Sequence, residues 1–183
     1  LLHRPDLLFD PEEVAEAFDT LEKAGKVRCF GVSNLMPMQI ELLKKYVKQP
    51  LVFNQVQLSL EQSQLIDQAL YMNNKTTEFS INRDGSALDY CRLHDITIQA
   101  WSPLQYGMFG GTFIDNADFP ELNKALAAIA EREGVSKAAV AIAWILRHPA
   151  KMQAIIGTMN PEHIKDTCDA VKVNLSHHDW YEL

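Results

Sequence analysis

The sequence predicts an α/β fold built on a parallel sheet. Short apolar runs alternate along the chain with segments of helical periodicity, and these runs lack the alternation of a strand that has one solvated face. A helix between two strands returns the chain to the same end of the sheet, so consecutive strands run parallel. The 183 residues, 47% of them hydrophobic, are enough to bury one sizeable core. From the residues alone, either a doubly wound sheet or a closed (β/α)8 barrel fits this order.

The strands are predicted from apolar runs that have polar or turn residues at both ends. The five runs are residues 1–3, 27–32, 51–56, 96–101 and 152–157. Because the first run resembles the end of a buried strand and Pro5 breaks it, we expect further sequence upstream of Leu1. A barrel needs about 250 residues, so roughly three strand–helix units would precede this chain if it belongs to one.

Helices are predicted from caps and from apolar periodicity. Asp10 and Pro11 mark the start of the first helix and Gly25 its end, while Asn160 and Pro161 begin the last helix. The other helical segments are residues 40–47, 65–71, 86–94, 121–132 and 136–147. The segment 136–147 is apolar nearly all round, so we expect it to be buried. Polar, aperiodic residues 73–85 are predicted as an exposed insertion, and residues 105–120 as a long loop that carries function or folds over a ligand.

Composition excludes several classes of protein. The net charge of −7, with scattered basic residues, argues against a nucleic-acid partner or an anionic membrane surface. Cys29, Cys91 and Cys168 have neither disulfide-framework nor metal-ligand spacing, which favours a reducing, cytoplasmic setting. The sequence contains no apolar stretch of the roughly 20 residues that a membrane span needs.

Residues that are mostly polar or aromatic lie at or just after the end of each predicted strand. They are His3, Ser33, Asn34, Asn54, Gln55, Trp101, Ser102, Gly157 and Thr158. The carboxyl ends of parallel strands meet at one edge, where active sites form. Each residue also has a structural explanation, since His3 can be a structural hydrogen bonder and Trp101 part of the core. Ser33 and Asn34 can cap the helix that begins near Pro37.

The order of these segments carries more information than any one of them. LLHRPD, GKVRCFGVSN, FNQVQLS, QAWSPL and IIGTMNPEHI together resemble the aldo-keto reductase superfamily, in particular its bacterial oxidoreductase-like branch. The resemblance implies a (β/α)8 TIM barrel of which this chain, as a single domain over residues 1–183, supplies about the last five strand–helix units. The first three units, with the family's catalytic Asp, Tyr and Lys, would be absent here, so this segment alone is expected to be inactive.

The resemblance implies an NADP(H)-dependent oxidoreductase that transfers a hydride from nicotinamide to an aldehyde or ketone carbonyl without a metal. His3 matches the active-site histidine that orients the carbonyl. Ser33, Asn34 and Gln55 match residues that hydrogen-bond the nicotinamide carboxamide, and Trp101 matches an aromatic residue that stacks on the ring. The matched positions from the pyrophosphate and ribose to the adenine are Ser102, Leu104, Thr158, His163, Asp166 and Thr167.

The adenosine end departs from the family pattern. Gly157 and Thr158 stand where many members have Lys and Ser, and His163 stands where they have Arg. Lys165 is a possible substitute for the lost cation. The resemblance favours NADP, with NAD as the alternative. The functional alternatives are a catalytically weak nucleotide-binding regulatory protein, as the potassium-channel β subunits of this superfamily are, or an inactive truncated fragment.

Overall fold

The computed structural model describes all 183 residues, which form two compact units. Unit 1 contains Leu1–Val56 and Gln64–Ile98, and unit 2 contains Gln57–Ser63 and Gln99–Leu183. None of the helices combines the length and the apolar character that crossing a lipid bilayer requires.

The strands of unit 1 are parallel. Strand β1 (Phe30–Ser33) pairs with β2 (Leu51–Gln57), and the first predicted strand is reduced to a parallel bridge between Leu2 and Val32. Residues 27–29, predicted as strand, precede β1 without joining it. The strands approach closely at Gly31, where a Cβ atom would lie 2.7 Å from the Phe53 carbonyl oxygen and 2.8 Å from Leu1. Only glycine fits this position without displacing its neighbours.

The helices of unit 1 begin close to where the sequence predicts them. Asp10 caps α1 (Pro11–Lys23) by accepting from the Glu12 amide at 2.9 Å, and Gly25 follows the helix with a φ of +66°. The helices after β1 and β2 are α2 (Pro37–Lys44), α3 (Gln64–Asp67) and α4 (Ala87–Leu93), with 3₁₀ turns at Gln68–Tyr71 and Glu78–Ser80. Val47 is buried, but it lies beyond the end of α2.

Unit 2 contains the second parallel pair. Strand β3 (Thr97–Trp101) pairs with β4 (Gln153–Ile155) through residues 99–101, which are its part of unit 2, with Trp101 opposite Ile155. Between them lie the long loop, then α5 (Pro120–Glu133) and α6 (Lys137–Arg147). After β4 come α7 (Pro161–Cys168), a 3₁₀ turn at Asp169–Lys172, and α8 (His177–Glu182). The sequence predicts a helix from Asn160 through Ile164, Cys168 and Val171, but α7 ends at Cys168, and Val171 lies in the 3₁₀ turn and is exposed.

Helix α6 lies at the centre of the hydrophobic core of unit 2. Residues 139–145 are all buried, as the apolar sequence predicts. Trp144 of α6 stacks on Trp180 of α8 with ring centroids 5.2 Å apart. Each indole N–H donates to the other residue's backbone carbonyl at 3.0 Å, so the two tryptophans fasten the C-terminal helix to the core.

Candidate functional site

In unit 1, the ends of three neighbouring chain segments place His3, Ser33 and Gln55 side by side. Leu2 lies opposite Val32, and Ser33 lies opposite Gln55 in the parallel register. His3 follows Leu2 directly and is exposed, so its ring is not a buried structural group. These three residues therefore lie at the carboxyl ends of adjacent chain segments, where the sequence predicts them.

A small hydrogen-bond network orders the polar groups at this edge. The Ser33 hydroxyl, in a residue only 2% exposed, donates to the Gln55 carbonyl oxygen at 2.9 Å and accepts from the Asn34 side-chain amide at 2.8 Å. The Asn34 backbone N–H also donates to the Gln55 carbonyl, at 3.0 Å. Asn34 has a φ of +57°, a conformation that asparagine tolerates better than most residues. The network thus fixes the orientation of the Asn34 amide.

Ser33 and Asn34 do not cap helix α2, which was the structural explanation offered for them. The residue that precedes α2 is Met36, whose backbone N–H donates to the Gln39 side chain at 2.8 Å. Ser33 and Asn34 are instead engaged with each other and with Gln55. They therefore belong to the strand edge rather than to the helix start.

Asn54 ends a predicted strand but serves the scaffold. It is fully buried, and its side-chain amide donates to the Leu35 carbonyl at 2.9 Å, which ties β2 to the loop after β1. Burial raises the pKa of the neighbouring Cys91 thiol to about 11, against the opposing effect of a hydrogen bond with Asn54. Cys91 is therefore an unreactive thiol at neutral pH.

Unit 2 contains a cavity of about 630 Å³ at the carboxyl ends of β3 and β4. Three segments line most of it: the residues after β3, the first turn of α6, and the stretch from the end of β4 into α7. Six of the residues to which the family resemblance gives a cofactor-binding role lie in its wall, namely Ser102, Leu104, Thr158, His163, Asp166 and Thr167. The structure thus brings together residues that are up to 65 positions apart in the sequence, since Ser102 and Thr167 both line the cavity.

Helix α6 begins at this cavity, and α7 begins close to it, since His163 of its first turn lines the wall; each helix has a capping side chain. Ser136 accepts from the Ala139 amide at 3.1 Å at the start of α6, and Asn160 accepts from the Glu162 amide at 3.0 Å at the start of α7. Thr158 accepts from the Asn160 amide at 3.1 Å, and its hydroxyl lies 3.5 Å from Nδ1 of His163. The positive ends of both helix dipoles therefore lie near this wall, where they favour negative charge.

Lys137 is a cavity residue that sequence reasoning missed. It is the first residue of α6, lines the cavity and forms an ion pair with Asp115 of the long loop. Lys165, which the sequence offers as a substitute for the lost cation, is not part of the wall. The signal that could have identified Lys137 is its position, because a cation in the first turn of a helix opposes the helix dipole.

The long loop lines the cavity with residues from its middle and not with its aromatic residues. Of its aromatic residues, Phe113 is fully buried and Phe109 is almost fully exposed, and neither lines the cavity. Thr112, Ile114 and Asp115 are the residues from the middle of this loop that do. Trp101 is half-buried at the end of β3, one position before the cavity residue Ser102.

Comparison with known proteins gives a consistent result along the whole chain. The sequence profile of the Aldo/keto reductase family matches residues 1–183. A 6-dehydroglucose reductase from Agrobacterium fabrum is 37% identical over 183 residues, which are all of this chain and 54% of that protein. Oxidoreductase YdhF of Escherichia coli is 33% identical over 185 residues, which cover 100% of this chain and 55% of that protein.

A solved structure gives the same fold. The crystal structure of the thermostable aldo-keto reductase Tm1743 in complex with the inhibitor epalrestat aligns with a TM-score of 0.71 and 23% identity, over 98% of this chain and 56% of that one. This confirms the predicted fold class, an α/β chain that corresponds to part of a (β/α)8 barrel. The chain spans about half the length of the curated relatives it matches. By its sequence profile and its fold, the chain belongs to the aldo/keto reductase family.

Proposed function

We propose that the protein is an NADP(H)-dependent oxidoreductase that transfers a hydride between nicotinamide and an aldehyde or ketone carbonyl. The observation that carries the proposal is the cavity of unit 2, whose wall gathers six residues that the family resemblance assigns to the cofactor. The name of the 6-dehydroglucose reductase relative makes an oxidised sugar a reasonable first substrate class to test.

The residues present have the chemistry that such a cofactor needs. A carboxamide requires both donors and acceptors, which the side-chain amides of Asn34 and Gln55 supply, while the Ser33 hydroxyl orients the Asn34 amide. A pyrophosphate and a phosphate monoester require hydroxyl or N–H donors and positive charge, and the cavity offers Thr158, Lys137 and two helix starts. When bound, the reduced nicotinamide supplies the hydride.

His3 is proposed to act on the substrate. It is exposed beside the Ser33–Gln55 edge, so its ring can donate a hydrogen bond to a carbonyl oxygen. That bond strengthens as negative charge develops on the oxygen, which lowers the barrier more than it tightens substrate binding. We propose that the family's proton-donating Tyr, with its Asp and Lys, lies outside this chain.

Trp101 is proposed to cover one face of the nicotinamide. A flat aromatic surface on one side leaves the other side for hydride delivery to the substrate. Trp101→Ala is expected to weaken NADPH binding by about 1–3 kcal/mol, the range for loss of a large aromatic contact. Titration of NADPH fluorescence measures this change.

The test of the function uses protein expressed from the native gene. Wild-type protein is expected to bind NADPH and to oxidise it in a single turnover with 4-nitrobenzaldehyde. His3→Ala is expected to slow that turnover by about 10²–10³ while NADPH affinity stays unchanged. His178→Ala, which changes an exposed histidine of α8, is the matched control and should leave both quantities as they are.

The outcomes separate the candidate functions. Tight NADPH binding without any oxidation by the wild type would favour the regulatory, nucleotide-binding alternative. Equal turnover in wild type and His3→Ala would keep the enzyme but remove His3 from the mechanism. Absence of NADPH binding by the wild type would contradict the proposal altogether.

A further inference from the structure

The cavity of unit 2 contains a single lysine or arginine side chain. Lys137 lines the cavity, and its side chain is only 26% exposed. It forms an ion pair with Asp115, which also lines the cavity and is 73% exposed. The other acidic residue of the wall is Asp166. An anion that enters this cavity therefore has one lysine to pair with, and that lysine already holds a carboxylate.

The position of Lys137 is not explained by the stability of its helix. Lys137 is the first residue of α6, next to the capping residue Ser136, where the helix dipole disfavours a cation. The rest of the helix is apolar and buried over residues 139–145. A lysine at this point costs the helix a little stability, which indicates a role for its charge outside the helix.

The partner of Lys137 is held in place by the loop that carries it. The Asp115 backbone N–H donates to Oδ1 of Asn123 at 2.7 Å, and the Asn123 side-chain amide donates to the carbonyls of Phe113 and Phe119 at 2.7 and 2.9 Å. Asn123 belongs to α5, so this helix fixes the backbone of the loop beside the start of α6. Asp115 is thus a carboxylate held against Lys137, while its own side chain remains mostly exposed to solvent.

We propose that Lys137 binds the 2′-phosphate of NADP(H), which takes the place of the Asp115 carboxylate, and that this exchange is how the protein selects NADP(H) over NAD(H). The inference rests on the proposed function and adds the residue that recognises the 2′-phosphate. A phosphate monoester carries up to two negative charges and three acceptor oxygens, so it competes for the ammonium group better than one carboxylate. A ribose hydroxyl carries no charge and cannot displace Asp115.

The proposed exchange predicts opposite changes in NADPH affinity when Lys137 and Asp115 are replaced. Lys137→Ala removes the cation, so it should raise the Kd of NADPH about tenfold, as expected for one charge-assisted hydrogen bond, and leave the Kd of NADH within about twofold. Lys137→Arg keeps the charge and should retain the preference for NADPH. Asp115→Asn removes the competitor, so it should lower the Kd of NADPH severalfold without changing that of NADH.

A double variant tests whether the two residues act on each other. Once Lys137 is replaced by Ala, the further change Asp115→Asn should no longer improve NADPH binding, because its effect passes through the lysine. Lys124→Ala, an exposed lysine of α5, is the control and should change neither affinity. All Kd values come from fluorescence titration of protein from the native gene, with 2′,5′-ADP and 5′-AMP as non-reducible competitors.

The results separate this inference from the function on which it rests. Equal weakening of NADPH and NADH binding in Lys137→Ala would mean that Lys137 contacts a phosphate common to both, and would overturn the inference. Unchanged affinities in Lys137→Ala would overturn it as well, while the oxidoreductase proposal stands. If the wild type binds neither nucleotide, the proposed function fails and the inference with it.

Discussion

Ser33→Ala is the variant that examines the strand edge of unit 1 most closely. The hydroxyl donates to the Gln55 carbonyl at 2.9 Å and accepts from the Asn34 amide at 2.8 Å, in a residue that is 2% exposed. Removal of the hydroxyl therefore breaks two part-buried hydrogen bonds without creating a cavity larger than one oxygen atom.

The size of the stability loss follows from the hydrogen-bond partners that Gln55 and Asn34 keep. The Gln55 carbonyl keeps the backbone N–H of Asn34 as a donor at 3.0 Å, so its loss is partial. The Asn34 amide loses the acceptor that orients it. With about 0.5–1.5 kcal/mol for each bond, we expect a loss of about 1.5 kcal/mol in the free energy of unfolding. If Asn34 contacts the nicotinamide carboxamide, NADPH binding should weaken severalfold.

Urea denaturation gives the first quantity and fluorescence titration gives the second. Ser80→Ala is the control, because its hydroxyl donates to the Thr77 carbonyl at 2.7 Å, away from the strand edge and in a 3₁₀ turn. The control should lose stability without losing NADPH affinity. An unchanged affinity in Ser33→Ala, together with the expected loss of stability, would refute the idea that Ser33 orients a cofactor ligand.

Three further predictions concern the scaffold. The Arg132 guanidinium, with bonds of 2.9 and 3.0 Å, holds the pKa of the Asp179 carboxyl well below its ordinary value. Asp179→Asn should therefore cost about 2 kcal/mol in urea denaturation at pH 7, and the difference from wild type should vanish as the pH falls below about 4 towards the lowered pKa. Trp180→Ala, which removes the stack on Trp144, should cost about 3 kcal/mol and lower the melting temperature. Gly31→Ala should cost about 2 kcal/mol or more, measured in urea, because its Cβ would meet a backbone oxygen at 2.7 Å.

Each of these has a matched control. Glu182→Gln changes an exposed carboxylate of the same helix as Asp179 and should show no comparable pH dependence of stability. Tyr181→Ala removes an aromatic side chain that is largely exposed, next to Trp180. Gly107→Ala places a Cβ where no atom lies within 4 Å. If a control variant loses as much stability as its partner, the specific contact named for that partner is not the cause.

Local signals predicted the elements whose ends are marked by caps. The Asp10–Pro11 start and the Gly25 end of α1 match the structure, as does the Asn160 cap of α7, because these residues satisfy backbone groups within a few positions. Helix α8 was not predicted. Its signal was present in Ser176, whose hydroxyl pairs with Asp179 in a capping box.

The parts that sequence did not predict depend on neighbours far along the chain. Residues 27–29 are predicted as the start of a strand, yet they do not pair, because the register that fixes β1 begins at Phe30 opposite Leu51. The cavity role of Lys137 depends on the loop and on α7 as well as on its own helix. Candidate residues at strand ends could be predicted, since the parallel order of the strands places them, but which cation reaches the cavity could not.

The central claim is that the protein binds NADPH and transfers its hydride to a carbonyl, and one measurement tests it directly. Protein from the native gene is mixed rapidly with one equivalent of 4R- or 4S-deuterated NADPH and an excess of 4-nitrobenzaldehyde, and both absorbance at 340 nm and deuterium in the alcohol product are recorded. A single exponential loss of absorbance, with deuterium transferred from one cofactor face only, is the predicted result. No loss of absorbance above that of the mixture without protein would contradict the account.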